Sequence, residues 1–126
     1  MMIQFSLEGK LPTLNEELKK AKGHWGAYAS TKRKVEKRIR TQIAAQGVPE
    51  IKEYPVKLEV TWICGTKHKR DLDNVSLGLK YIQDALVASK IIVDDNYLHI
   101  AEITHKYEYR KDYFGQVVKI IYPITD

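Results

Sequence analysis

The sequence predicts an α+β fold: a small mixed or antiparallel sheet with two main helices packed on one face, in the order β-α-β-α-β-β. Three observations predict it. "YPVKLEVTWIC" alternates apolar and polar residues with the two-residue period of a half-buried strand. Two segments, around 30–47 and 73–89, carry apolar residues at helical spacing. Two further strand-like runs close the chain, and helices that alternate with short strands pack on the sheet they connect.

The elements follow in order. "MIQFSLEG" alternates weakly and reads as a first strand ending at Gly9. "LPTLN" then breaks pairing at Pro12, and Thr13 or Asn15 offers a helix cap. From Glu16 to Gln46 the pattern is helical, weakened at Gly23 and Gly26. Its clear part is "STKRKVEKRIRTQIAAQG", with Val35, Ile39 and Ile43 four residues apart, Ser30 or Thr31 as cap and Gly47 as C-terminal stop. In the second strand Val56, Leu58, Val60, Trp62 and Cys64 share one face; Lys57, Glu59 and Thr61 share the other. A loop, "GTKHKRD", leads to a helix from about Asp73 to Ser89. Val75, Leu79, Ile82 and Leu86 form its core stripe. "YLHIAEITHKYEYR" and "GQVVKIIYPI" read as a closing antiparallel pair joined around "KDYFG".

Composition bounds the function. The 126 residues suit one domain, and 44% hydrophobic with 29% charged residues are globular values. A net charge of +5 points to an anionic partner, with nucleic acid first and an acidic membrane second. No apolar run reaches the ~18 residues of a spanning helix. The opening "MMIQFSLEGKLPTLNEELKK" lacks the basic-then-apolar order of a secretory signal, so the cytoplasm is the expected location. Cys64 is the single cysteine and reads as a small buried hydrophobe in a reducing compartment, with a Cys–His nucleophile as the lesser reading.

The chemistry-bearing residues gather in "KHKRDLDNVSLGLKYIQDAL". Lys67, His68, Lys69 and Arg70 run directly into Asp71 and Asp73. In an extended segment residues two apart point the same way, so both carboxylates face one site. On the following helix Asp73, Lys80 and Asp84 fall within roughly 40° of one another, opposite the core stripe. Leu77 shares that polar face. "IIVDDN" then delivers a second acidic pair, Asp94 and Asp95. Each cluster alone has a structural reading: Asp73 as an N-cap, Asp71 as charge balance, Asp-Asp-Asn as a turn, and Lys80–Asp84 as an ordinary i,i+4 pair. Together they supply up to four acids and no cysteine or histidine cluster, the hard oxygen donors suited to Mg²⁺ or Mn²⁺. Lys32, Arg33, Lys34, Lys37, Arg38 and Arg40 place a second basic run on the first helix. It reads either as a solvated face or as a row of phosphate contacts.

At "RDLDN", followed by a lysine, "DAL" and an apolar run ending in "DD", the chain resembles the RusA family of Holliday junction resolvases. These are small dimeric metal-dependent endonucleases, frequent in phages and prophages. The early "LEGKLPTLNE" also resembles the family's opening. The resemblance implies a single RusA-like nuclease domain over 1–126. It implies an enzyme that resolves four-way DNA junctions by paired symmetric nicks in recombination and repair, with Mg²⁺ as cofactor and Mn²⁺ as substitute. The family's essential acids fall on Asp71, Asp73 and Asp95, as metal ligands and catalytic residues. Its functional lysine precedes the aspartate of D-A-L by four residues, which gives Lys80 before Asp84. This chain has about three residues more between D-x-D-N and D-A-L than the better-known members. Counting forward from Asp73 therefore reaches Leu77, and counting back from Asp84 reaches Lys80. Lys80 is preferred, because a leucine carries no charge to offer a phosphate. Lys67, His68, Lys69, Arg70, Lys32, Arg33, Lys34 and Lys37 are the expected DNA-binding residues, with branched DNA and a second copy of the chain as partners and no membrane. Two other readings stay open: a catalytically silent basic DNA-binding module, and a metal-dependent nuclease for other branched or single-stranded DNA.

Overall fold

The computed structural model describes residues 1–12, 25–67 and 75–124, with the backbone alone at 25–28. Six elements follow one another: β1 (Met2–Glu8), α1 (Trp25–Ala45), β2 (Val56–Cys64), α2 (Leu79–Ala88), β3 (Ile100–Tyr109) and β4 (Gly115–Ile121). The expected α+β order is what the chain adopts.

The strands form one sheet in the order β1-β4-β2-β3. β4 runs antiparallel to both β1 and β2, while β2 and β3 are parallel. Parallel neighbours need a crossover, and α2 supplies it between β2 and β3. The closing hairpin expected from the sequence is therefore corrected: β3 and β4 are separated by β2. The link between them crosses the end of β2, where Arg110 N–H donates to Cys64 O at 2.9 Å and Asp112 N–H to Gly65 O at 3.1 Å. The physical reason lies in burial. Val56, Leu58 and Val60 are fully buried, with Trp62 and Ile63 nearly so, and the most buried strand takes neighbours on both sides.

One face of the sheet carries the core. Phe5, Val118 and Val60 line up across paired strands, and Leu58 is in register with Ile120. Val35, Ile39 and Ile43 of α1 pack here, as their spacing predicts, together with Ile82 and Leu86 of α2. Tyr81 and Ala85 are buried as well, whereas Val75 and Leu79 are only partly covered. The core stripe of α2 is thus rotated from the expected one toward Tyr81. Cys64, expected in the core, is only half-buried at the strand's end. On the opposite face Lys57 and Glu59 of β2 form ion pairs with Glu102 and Lys106 of β3.

Helix boundaries follow expectation in part. α1 already runs from Trp25, so Ser30 and Thr31 lie inside the helix and do not cap it. Gly47 does end it, with φ +64°, a conformation that L side chains rarely adopt. Val75 and Ser76 are helical, the backbone turns at Leu77–Gly78, and α2 runs on from Leu79; the expected helix start at Asp73 lies outside the described residues. Gly78 packs closely there: a Cβ would sit 3.1 Å from both the Trp62 ring and Leu11 Cβ. Thr13, Asn15 and Gly23 lie outside the described residues.

The outer edge of β1 is closed by side chains. Ser6 N–H donates to Gln46 Oε1 (2.9 Å) while Gln46 Nε2 donates to Ser6 O (2.6 Å). Gln42, one helical turn earlier, does the same for Glu8, at 2.6 and 3.3 Å. Two amides spaced i,i+4 thus satisfy strand groups that another strand would otherwise take. Replacing both glutamines by alanine is expected to cost about 1–2 kcal/mol, since a net intramolecular hydrogen bond is worth ~0.5–1.5 kcal/mol and these are exposed. A clear fall in Tm checks it; an unchanged Tm would show that water replaces the amides at no cost.

Candidate functional site

Lys80 stands in the first turn of α2, exposed, with its ammonium 3.0 Å from Asp84 Oδ1 one turn on. The same nitrogen is 3.8 Å from Asp95 Oδ2, which arrives from the loop before β3. Asp84 Oδ2 also faces Lys32 of α1, at 3.8 Å. Two helices and a loop therefore converge on four alternating charges. The hydrogen bond that the Lys80 ammonium donates to Asp84, with the charges of Asp84 and Asp95 behind it, holds that ammonium above the ordinary lysine range against partial desolvation. It stays a full positive charge at any physiological pH.

The loop carrying Asp95 is pinned from below. Ile51 N–H donates to Ile91 O at 2.8 Å, and Val93 N–H donates to Tyr54 Oη at 2.9 Å. Tyr54 Oη in turn donates to Ile51 O at 2.9 Å. Ile91 and Ile92 are buried, so the apolar run before the acids anchors the loop instead of forming a strand. The two acids then diverge. Asp94 is spent on the turn: its Oδ1 accepts from Asp95 N–H (2.7 Å) and its Oδ2 from Asn96 Nδ2 (3.2 Å). Asn96 Oδ1 accepts from Leu98 N–H at 3.0 Å and lies 2.8 Å from His99 Nδ1. Asp95 is left to face Lys80.

Other expected residues are distributed as follows. Asp71, Asp73, His68, Lys69 and Arg70 lie outside the described residues. Lys67 stacks over the Tyr109 ring, 5.2 Å from its centroid. Lys32 faces Asp84 as well as solvent, a role its place in a basic run did not reveal. Arg33, Lys34 and Lys37 are exposed on α1, and Arg33, Lys37 and Arg40 fall within ~60° of one another at 100° per residue. Lys37, Arg40, Thr41 and Ala44 line a shallow groove with Ser89 from the end of α2. Arg38 points elsewhere, donating to Lys10 O at 2.7 Å. Tyr81, beside Lys80 on α2, is core. His105 is engaged by Trp62, whose Nε1–H donates to its Nδ1 at 3.0 Å, and burial lowers its pKa. Trp62 and His105 thus form a structural pair.

Among the described residues no group of three His, Cys, Asp or Glu side chains converges as a metal cage. Asp95 contributes one half-exposed carboxylate, and the other two ligands that the resemblance implies precede the described segment at Val75. The donor chemistry, carboxylate oxygen without sulfur, fits Mg²⁺ or Mn²⁺. Among the described residues no helix is long and apolar enough to cross a membrane. Compared with known proteins, the chain matches no family model and no curated protein.

Proposed function

We propose that the protein is a metal-dependent endodeoxyribonuclease that resolves four-way DNA junctions by paired symmetric nicks. The observation that carries this reading is the meeting of Lys80 with Asp95, 3.8 Å apart although fifteen positions separate them in sequence. Those are the lysine and the last acid of the motif set that the chain shares with the RusA-like resolvases. Backward counting from Asp84, which selects Lys80 over Leu77, is the counting that yields this contact; Leu77 is half-buried and uncharged.

In this reading Asp71, Asp73 and Asp95 hold Mg²⁺, which when bound activates water and offsets charge on the phosphoryl oxygens. Lys80 offers a fixed ammonium to the scissile phosphate, where preorganised charge lowers the barrier most. Asp84 holds that ammonium in place from the adjacent turn, and Lys32 balances Asp84. Lys67, His68, Lys69 and Arg70 take flanking phosphates. Arg33, Lys34 and Lys37 take them along α1. Such contacts give affinity and salt dependence and carry no base specificity. Two copies related by a two-fold axis place two sites on symmetric strands.

The charge balance of the Lys32–Asp84–Lys80–Asp95 cluster favours a second reading, a silent DNA-binding module in which these groups only neutralise one another. Incubation with a four-way junction, a matched duplex and a flap, each with Mg²⁺, separates the readings. Junction nicking far faster than duplex or flap cleavage is expected. Equal cleavage of all three would indicate a general nuclease, and binding without cleavage in any divalent metal would indicate the silent module.

A further inference from the structure

The two edges of the sheet are treated differently. β1 is closed by Gln42 and Gln46, whereas β3, ten residues long, has no strand beyond it among the described residues. A long open edge is a template for another chain. Apart from Met1 and Met2, every exposed large apolar side chain among the described residues lies on β3 or in the loop entering it: Val93, Tyr97, Leu98, Ile103, Tyr107 and Tyr109.

The charges on β3 limit the registers in which a second copy can pair with it. On the face away from the helices Glu102, Thr104, Lys106 and Glu108 follow one another. A copy running antiparallel about a two-fold axis pairs residues symmetrically around the axis. An axis at His105 sets Glu102 against Glu108; one at Lys106 or Glu108 sets that charge against itself. An axis at Tyr107 pairs Lys106 with Glu108 but leaves Tyr97 and Leu98 uncovered. An axis at Thr104 sets Glu102 opposite Lys106 twice and Thr104 opposite its own copy, both favourable cross-strand pairs. It also lays the Tyr107–Tyr109 end of each copy beside the Tyr97–Leu98 end of the other.

We propose that the chain forms a homodimer by antiparallel pairing of β3 with the β3 of a second copy, about a two-fold axis at Thr104. This rests on the two-fold assembly in the function proposed above and names its interface. Its test reads assembly and not cleavage, so that either can fail alone.

Sedimentation of the unmodified chain gives the mass, and cysteine pairing gives the axis. Cys64 is the single native cysteine, so Cys64→Ala provides a clean background for Thr104→Cys and, separately, Tyr107→Cys. Directly opposed Cβ atoms, ~4.5–5.5 Å apart, are close enough for a disulfide or a short bis-maleimide bridge. A dimer is expected, with the Thr104→Cys protein joining rapidly into a covalent dimer and the Tyr107→Cys protein much more slowly. Circular dichroism on both verifies the fold. A monomer at every concentration overturns the proposal. So does a dimer that joins faster through position 107, or through neither.

Discussion

Asp95→Asn is expected to abolish Mg²⁺-dependent nicking of a four-way junction, by about 100-fold or more, while junction binding survives or tightens. Asparagine keeps the size and one oxygen but loses the charge that holds a divalent ion, and one source of repulsion toward phosphate disappears. Asp71→Asn and Asp73→Asn are expected to behave the same way. Asp94→Asn is the internal control. Its carboxylate is occupied by Asp95 N–H and Asn96 Nδ2, and an asparagine oxygen retains an acceptor for the turn. A much smaller loss of rate is expected there. An inactive Asp94→Asn beside an active Asp95→Asn would reverse the assignment within the pair.

Lys80→Ala is expected to slow single-turnover cleavage about 10²–10³-fold, the usual effect of removing one preorganised charge donor. Stability should change by less than about 0.5 kcal/mol, because the side chain is 61% exposed and alanine is a good helix former. Lys80→Arg should restore only part of the rate, since a planar guanidinium does not replace a compact ammonium between two carboxylates. Thermal melting on the same samples separates chemistry from folding. A fully active Lys80→Ala protein would return Lys80 to an ordinary surface pair with Asp84.

Much of this fold is legible in sequence because burial and periodicity are local. Val56, Leu58, Val60 and Trp62 announce β2 by alternation, and Val35, Ile39 and Ile43 announce the buried side of α1. Strand order is not local. β3 and β4 look like a hairpin because a short turn-rich link joins them, and nothing in that link shows that it crosses the end of β2. The turn at Leu77–Gly78 is hidden for a similar reason: Gly78 lies against Leu11 and Trp62, residues remote in sequence. At the candidate site, the i,i+4 spacing of Lys80 and Asp84 made their pairing legible, and the motif order singled out Asp95. The divergence of Asp94 from Asp95 depends on Tyr54 and Asn96 holding the loop, which no motif encodes. Gln42 and Gln46 read as ordinary polar helix residues until the edge of β1 lies beside them.

The most direct measurement is single-turnover cleavage of a synthetic four-way junction labelled on each strand in turn, with Mg²⁺ and with chelator. Nicks at symmetric positions on two opposed strands are expected in Mg²⁺, and none with chelator although the junction stays bound. Bound junction left intact in Mg²⁺ and Mn²⁺ alike, or cleavage that persists in chelator, would contradict the proposed function.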